Sequence, residues 1–245
     1  MQSYNPAIAD IFSTSKKHQH ETSRSQYFLN SANKVCCFLE EHFEEGLSKG
    51  KEFGVNKIGH ALHDKDDVFR RVSRAKKVKE VVKGLGYWQP LLIQSMYICK
   101  QALIGGKVDS HRDGTFIGTT GKECLGLWWA LEDATKENGC LWVVPGSHTD
   151  GIGVRMVVEK EVGKRVTKFV GEEKKVYEDG VFREVPVKEG GLVLLHGGVV
   201  HMSKRNWSGK SRHAYSIHVV DSEPWAKYCE DNWLQRPDDD PFTEL

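Results

Sequence analysis

Three side chains that commonly bind divalent metals occur at positions that would let them share one ion. His111 and Asp113 are separated by a single residue, and His201 follows in the stretch 191–203, where a glycine turn separates two apolar runs. In an extended segment residues i and i+2 point to the same side, so His111 and Asp113 can face one ion. Two imidazoles and one carboxylate on one face of an octahedral ion leave three positions for other ligands. The pattern predicts a metal site formed by His111, Asp113 and His201.

An arginine downstream of the third ligand could bind an anion beside the metal. Arg212 opens the run 212–218, whose composition predicts a strand. A guanidinium that faces a pocket can grip a carboxylate through two parallel hydrogen bonds, as the distal carboxylate of 2-oxoglutarate would require. An isolated arginine is more often a surface cation, but the position of Arg212 after His201 favours the anchor.

Short β-strands are the elements that must position these side chains. After Tyr87 the chain alternates short β-type runs with glycine-containing turns, which favours a sandwich or barrel with helices packed outside. Asp179-Gly180 also predicts a two-residue hairpin turn within 176–182. We predict strands at 91–99, 124–131, 140–144, 175–182, 192–196, 199–202 and 213–220.

The upstream part of the chain contains one clear amphipathic segment. Apolar residues recur every three or four positions over 66–85, which predicts a single helix with a capping aspartate before it and a glycine after it. The basic run 76–79 is interpreted as the solvated face of this helix and not as a nucleic-acid contact. The segment 31–49 has apolar residues at both helical and strand spacings, so both types stay open.

Composition places the chain among ordinary globular proteins. Of its 245 residues 39% are hydrophobic and 10% aromatic, and 35 basic and 34 acidic residues give a net charge of +1. That balance gives no electrostatic reason to expect a nucleic-acid or membrane partner. No stretch approaches the roughly 18 apolar residues that a membrane span needs. The six cysteines include no Cys-x-x-Cys pair, which argues against a zinc knuckle or a redox dithiol.

Domain organisation and location follow from the chain ends. The N-terminal residues are polar and lack apolar periodicity, so we expect a loose arm over 1–26 and a single domain over 27–245. No secretory signal and no C-terminal peroxisomal signal is recognisable, which predicts a cytoplasmic protein. We further expect a monomer that acts on a small molecule.

Several longer motifs surround the candidate site residues. They are His111-Arg112-Asp113, the run EDATKENGCLW at 132–142, the PGSH loop at 145–148, His201-x-Ser203 with Arg212, IGHALH at 58–63 and QSMYI at 94–98. Taken together, these motifs resemble the phytanoyl-CoA dioxygenase family. The resemblance extends over roughly residues 12 to 245, which makes it more specific than a short motif. Family members have a further strand and helix upstream of the point where this chain starts, so we expect that opening segment to be missing.

The resemblance implies a mainly β protein with flanking helices, folded as a double-stranded β-helix, a cupin-like jelly-roll barrel with iron at its mouth. It also implies that Lys57, Met96, Trp128 and Ser203 line the cosubstrate pocket beside Arg212. The expected activity is that of an Fe(II)- and 2-oxoglutarate-dependent dioxygenase. It would couple oxidative decarboxylation of 2-oxoglutarate to succinate and CO₂ with hydroxylation of an unidentified substrate. The reaction would also use O₂, with ascorbate in a supporting role. No catalytic side chain beyond the metal ligands is expected.

Two other functions stay open on the same barrel. A catalytically silent jelly roll could bind a small molecule or a protein, and a zinc-dependent hydrolase or isomerase could use the same ligand types. The triad together with Arg212 favours the oxygenase over both. The charged segment 155–188 could steer an anionic substrate, although a solvated hairpin is the favoured interpretation.

Other histidines compete for a role at the metal. The spacing of the resembling family favours His201 over His196 as the third ligand, and His196 is then expected to pack beside the glycine turn. His148 is expected to fix its own loop by hydrogen bonds. His60 and His63 could face the substrate entrance or be structural, and the sequence does not separate these alternatives.

Overall fold

Strands dominate the structure, a computed structural model that describes residues 9–13, 25–173, 175–222 and 225–245. The strands are β1 (Val35–Leu39), β2 (Val55–His60), β3 (Pro90–Ile98), β4 (Val108–His111), β5 (Thr119–Thr120), β6 (Leu125–Ala130), β7 (Leu141–Val143), β8 (Val154–Glu161), β9 (Lys164–Gly171), β10 (Arg183–Val185), β11 (Leu192–His196), β12 (His201–Ser203), β13 (Ala214–Asp221), β14 (Lys227–Tyr228) and β15 (Thr243–Glu244). The helices are α1 (Gln26–Leu29), α2 (Phe43–Leu47), α3 (Leu62–Lys65), α4 (Asp67–Ser73), α5 (Lys76–Gly84) and α6 (Asp113–Phe116), with 3₁₀ turns at Lys51–Gly54, Ser147–Asp150 and Asp179–Val181.

Two antiparallel sheets form the barrel. The larger sheet has the order β1-β2-β3-β13-β6-β11 with β15 added beside β3, and the smaller has the order β10-β7-β12-β4. Strands distant in sequence are neighbours in both sheets, as a jelly roll requires. The inner faces pack together through apolar side chains of both sheets, including Trp128, Leu141 and Leu195. The prediction of a mainly β, double-stranded β-helix with flanking helices is confirmed.

Strand alternation decides which side chains reach the barrel interior. Directly paired residues of neighbouring strands share one face. The register places Ser216 of β13 between Met96 of β3 and Trp128 of β6, and it places His218 of β13 beside Gln94 of β3. These five side chains therefore belong to one inner face, which forms the floor of the barrel.

The outer face of the larger sheet is covered by helices. Val78 and Val82 of α5 are buried against Leu127 of β6 and its neighbours. Lys76 and Lys77 of the same helix are exposed, as expected for a solvated basic face. No helix within the described ranges is long and apolar enough to cross a membrane.

The single helix predicted over 66–85 is wrong, because the structure has two helices, α4 and α5, with a break at Arg74. Asp66 caps α4 by accepting hydrogen bonds from two backbone N–H groups of its first turn. At the break the guanidinium of Arg74 donates to the carbonyl of His63 at 2.6 Å, to the carboxylate of Asp64 at 2.7 Å and to the carbonyl of Glu244 at 3.1 Å. A hydrophobic pattern read along one segment does not contain such contacts.

The strand and tight hairpin predicted over 175–182 are also wrong. The described residues there form an irregular stretch that ends in the 3₁₀ turn 179–181. Phe182 is buried in a small cluster with Val144 and Val200, so this part of the chain is pulled inward and does not extend along a partner strand.

The charged segment does contain a hairpin, but it lies earlier than predicted and is formed by β8 and β9. Its tip is exposed, in agreement with the favoured interpretation of a solvated hairpin. Its base is different, because Met156, Val157, Val166 and Thr167 are buried. The base therefore belongs to the protein core and only the tip is solvated.

Most of the predicted arm over 1–26 lies outside the described residues. Residues 9–13 lie alongside β1, where the N–H of Phe12 donates to the carbonyl of Leu39 at 2.8 Å. The sequence left both helix and strand open for the segment 31–49, and the structure has β1 followed by α2 there.

Candidate metal centre

The three predicted metal ligands come together at one end of the smaller sheet. His111 ends β4 and His201 begins β12, and the two residues are direct partners across that strand pair. Asp113 begins α6, which turns its carboxylate back toward both rings. Its Oδ1 atom lies 3.7 Å from Nε2 of His111 and 3.6 Å from Nε2 of His201. One ligand atom from each residue lies within 4.8 Å of the other two, a separation that one metal ion can bridge.

Backbone carbonyls orient both imidazoles. Nδ1 of His111 donates to the carbonyl of Asp109 at 2.8 Å, and Nδ1 of His201 donates to the carbonyl of Val199 at 3.1 Å. With the proton on Nδ1, each Nε2 presents a lone pair toward Asp113. Such outer partners fix the tautomer and orientation of metal-binding histidines. The donor set and its orientation therefore fit a divalent metal with two imidazoles and one carboxylate.

The electrostatics of the triad favour the protonation states that bind a metal. Burial, followed by the charge of His201, lowers the pKa of His111 to about 4. Burial raises the pKa of Asp113, but the nearby His201 and His218 outweigh it and hold that pKa below its ordinary value. A neutral imidazole and an ionised carboxylate are the forms that coordinate metal, so no proton has to leave either group near neutral pH.

Arg212 lies in the same cavity as the triad. Its side chain is buried, Nε donates to the carbonyl of Gly139 at 3.1 Å, and Nη2 donates to Oγ of Ser203 at 3.3 Å. The guanidinium lies 5.3 Å from the ring centre of Trp128. Its remaining nitrogen, Nη1, has no hydrogen-bond partner among the described residues. Arg212, Ser203 and Trp128 are thus grouped as the resemblance implies.

Lys57 and Met96 complete the predicted pocket. Both line the cavity, and Nζ of Lys57 lies 3.9 Å from Sδ of Met96 and 3.4 Å from the ring centre of Phe12. Burial lowers the pKa of Lys57 to about 7, and no carboxylate among the described residues offsets this shift. A buried amine without an acidic partner is suited to an anionic ligand.

A second buried lysine escaped the sequence analysis. Lys100 lines the cavity and donates to the backbone carbonyls of Lys204, at 3.0 Å, and Gly106. Burial, followed by the charge of Arg212, lowers its pKa to about 7, and Glu40 opposes this shift. Its position at the end of β3 was recognisable, but no local pattern indicated that the chain would fold over it.

The cavity has a volume of about 250 Å³ and is lined by both polar and apolar side chains. Arg212, Lys57 and Ser203 are among the polar ones. Aromatic and aliphatic walls form much of the rest, and they include Phe28, Phe116, Ile117, Met156 and Trp233. Phe116 lies against His111, with ring centres 5.9 Å apart, so part of the apolar wall adjoins the metal ligands.

Two further residues at the metal were missed by the sequence analysis. Nε2 of His218 lies 3.2 Å from Oδ2 of Asp113, and Nε2 of Gln94 lies 3.1 Å from Nδ1 of His218. Both are buried and line the cavity. The alternation of β13 would have placed His218 on the same face as Arg212, which is the one signal that could have found it.

The loop around His148 is held by a different residue from the one predicted. Ser147 donates to the carbonyl of Val144 at 2.7 Å and accepts from the N–H of Val200 at 2.8 Å. A short hydroxyl can bridge two backbone groups of adjacent loops, whereas the imidazole of His148 is exposed. His196 lies beside the glycine turn as expected, where its Nδ1 accepts from the N–H of Gly198 at 3.0 Å.

For His60 and His63 the sequence left open a place at the substrate entrance or a structural role, and the structure separates the two residues. His60 lines the cavity, and its Nδ1 lies 2.8 Å from Oγ of Ser31. His63 is fully buried between Ser95 and Asp64, at 2.8 and 3.1 Å. His60 therefore lies at the candidate site, and His63 connects α3 to the outer face of β3.

Comparison with known proteins agrees with this geometry. The sequence pattern described as phytanoyl-CoA dioxygenase (PhyH) matches residues 12–214. The chain belongs to this family. Phytanoyl-CoA dioxygenase domain-containing protein 1 of Danio rerio is 45% identical over 243 residues, which cover 96% of this chain and 81% of that protein. Phytanoyl-CoA dioxygenase of Arabidopsis thaliana is 41% identical over 239 residues, with 96% and 81% covered. The family and the His-Asp-His site together support an oxygenase.

Solved structures share the fold at low sequence identity. The epimerase SnoN of nogalamycin biosynthesis, determined with Fe³⁺, alpha ketoglutarate and nogalamycin RO, has a TM-score of 0.57 and 19% identity, covering 78% of this chain and 74% of that one. The carbocyclase SnoK, described as non-heme and alpha ketoglutarate dependent, has a TM-score of 0.56 and 22% identity, with 82% and 81% covered. These similarities show the fold.

Proposed function

We infer that the protein is an Fe(II)- and 2-oxoglutarate-dependent dioxygenase that hydroxylates a small molecule. The observation that carries this function is Arg212, a buried guanidinium in the cavity of the triad whose Nη1 has no partner among the described residues. An uncompensated buried donor is costly, so such a group indicates a ligand that completes its hydrogen bonds. A ligand with one carboxylate at this position and a second carboxylate at the metal would be a short dicarboxylic keto acid.

Each side chain of the cavity has a definite task in this function. His111, Asp113 and His201 would hold the iron. Arg212 and Ser203 would bind the distal carboxylate of the cosubstrate, and bound iron and 2-oxoglutarate would supply the dioxygen activation that side chains lack. The apolar walls of the cavity would exclude water and receive the C–H group to be hydroxylated.

The two alternative functions explain less of the cavity. A zinc-dependent hydrolase or isomerase needs the metal and a water, but it gives no role to a buried arginine and a buried lysine in the cavity of the triad. A silent binding module gives no role to the carboxylate of Asp113, or to His111 and His201 in their metal-binding tautomers. The oxygenase uses both groups of residues at once.

Succinate formation tests the function directly. Purified protein supplied with Fe(II), ascorbate, 2-oxoglutarate and air is expected to release succinate slowly without added substrate, because the cosubstrate can be turned over uncoupled. A chelator should stop the release, and Zn(II) should not replace Fe(II). Absence of succinate together with tight zinc binding would favour a hydrolase, and absence of any metal-dependent reaction would favour the binding module.

Lys57 gives a prediction about protons. Because burial lowers its pKa to about 7, much of this amine is neutral above that pH in the free protein. An anionic cosubstrate stabilises the charged form and raises the pKa, so binding at pH 8 is expected to take up a proton. Calorimetry of 2-oxoglutarate binding in buffers of different ionisation enthalpy measures this uptake. Lys57→Met should reduce the uptake, with the remainder assigned to Lys100, whose pKa is also lowered to about 7. An unchanged uptake in Lys57→Met would contradict the assignment.

The primary substrate is not transferred from the relatives. The name of the Arabidopsis protein includes phytanoyl-CoA, but a shared fold hosts many specificities because function depends on the site. Small molecules that accelerate succinate release above the uncoupled rate would identify the substrate class. The cytoplasmic location and the monomeric state stay predictions.

A further inference from the structure

A short chain of polar contacts runs from the floor of the barrel to the metal ligand Asp113. Gln94 and His218 are direct partners across β3 and β13, and Nε2 of Gln94 lies 3.1 Å from Nδ1 of His218. On the other side of the ring, Nε2 of His218 lies 3.2 Å from Oδ2 of Asp113. Gln94, His218 and Asp113 are all buried in the wall of the cavity.

The hydrogen-bonding capacity of the Gln94 amide fixes the tautomer of His218. The amide nitrogen of Gln94 only donates, so Nδ1 of His218 must accept and the ring proton resides on Nε2. That N–H is then the group nearest Oδ2 of Asp113. Oδ2 makes no hydrogen bond of standard geometry among the described residues. Such contacts are often imperfectly aligned in a free site and tighten on loading.

The two oxygens of Asp113 therefore have different surroundings. Oδ1 faces Nε2 of both His111 and His201, at 3.7 and 3.6 Å, and these three atoms would hold the metal. Oδ2 faces the N–H of His218. The backbone of Gly126 closes this side, because a Cβ built there would lie 3.2 Å from Oδ2 and 3.5 Å from Nε2 of His218.

The consequence concerns the number of open metal positions. A carboxylate without an outer partner can bind a metal through both oxygens and so occupy two positions. An octahedral ion with three protein ligand atoms keeps three positions for other ligands, and a second carboxylate oxygen would remove one of them. We propose that His218, oriented by Gln94, is a positioning residue that keeps Asp113 monodentate and thereby preserves the third open position.

This proposal rests on the proposed function only for its consequence, because the coordination of Asp113 can be measured without cosubstrate. The probe is Mn(II) bound to the intact protein, and the readout is the relaxation rate of water protons, which reports the number of exchanging waters on the metal. His218→Leu removes the N–H, and a lower relaxation enhancement per bound Mn(II) is expected because the freed Oδ2 displaces a water.

Two further variants separate positioning from folding. His218→Gln keeps an N–H donor with similar reach and should restore the relaxation enhancement. His213→Leu is the matched control, because His213 immediately precedes the same strand and its ring contacts the hydroxyl of Tyr97 at 2.8 Å. It should behave like the wild type. Equal relaxation enhancement in His218→Leu and wild type, or failure of His218→Gln to recover it in a folded protein, would overturn the proposal.

The binding of 2-oxoglutarate gives the second measurement. Loss of an outer partner of a metal ligand commonly costs about tenfold to a hundredfold in affinity or activity. His218→Leu with Mn(II) should weaken 2-oxoglutarate binding to this extent, and His218→Gln by much less. A wild type that does not bind 2-oxoglutarate would contradict the proposed function and leave the relaxation result to decide the role of His218.

Discussion

Replacement of His201 or Asp113 by alanine is expected to abolish iron-dependent succinate formation. Two remaining ligands would hold the ion weakly and in the wrong geometry, because the three ligand atoms lie within 4.8 Å of one another and each occupies one corner of the site. Changes in outer partners alone cost about tenfold to a hundredfold. Loss of a ligand should therefore exceed a hundredfold in metal affinity, measured by competition with a coloured chelator.

His196 provides the control for this prediction. It lies on the strand that precedes the glycine turn, and its ring is exposed. His196→Ala should therefore bind iron and form succinate like the wild type. A variant His201→Ala that keeps full turnover, with turnover lost in His196→Ala, would show that the ligand assignment is wrong.

Replacement of Arg212 by alanine is expected to raise the 2-oxoglutarate requirement sharply while iron binding is retained. The variant would leave a carboxylate in a buried pocket without its partner. Removing one member of a buried, hydrogen-bonded charge pair costs about 2–5 kcal/mol. This range corresponds to roughly thirtyfold to several thousandfold in affinity. Titration of 2-oxoglutarate at fixed iron measures the change.

Two companion variants make the Arg212 result specific. Arg212→Lys should recover only part of the affinity, because an ammonium cannot make the two parallel contacts of a guanidinium. Arg183→Ala should change nothing, since Arg183 is an exposed arginine whose guanidinium donates to the backbone carbonyls of Gly180 and Phe182. An unchanged 2-oxoglutarate affinity in Arg212→Ala would contradict the cosubstrate site.

The sequence alone determined the chemical core of this protein. His111 and Asp113 are two residues apart at a strand end, so their common direction follows from the period of an extended chain. A sandwich or barrel followed from short strands with glycine turns, because alternation and turn chemistry are local properties. The choice of a jelly-roll barrel came from the family resemblance. His201 and Arg212 could be selected because a family resemblance supplied the long-range pairing that local patterns lack.

Only the tertiary structure decided how these residues are supported. Arg74 lies at the break in the helix predicted over 66–85 and contacts Asp64 and His63, and Ser147 bridges two loops where a histidine was expected. His218 reaches Asp113 only because β13 lies between β3 and β6. The contacts of Ser147 with Val200 and of His218 with Asp113 join residues distant in sequence, and their energy depends on burial and distance. Neither quantity is encoded in a local pattern of residue types.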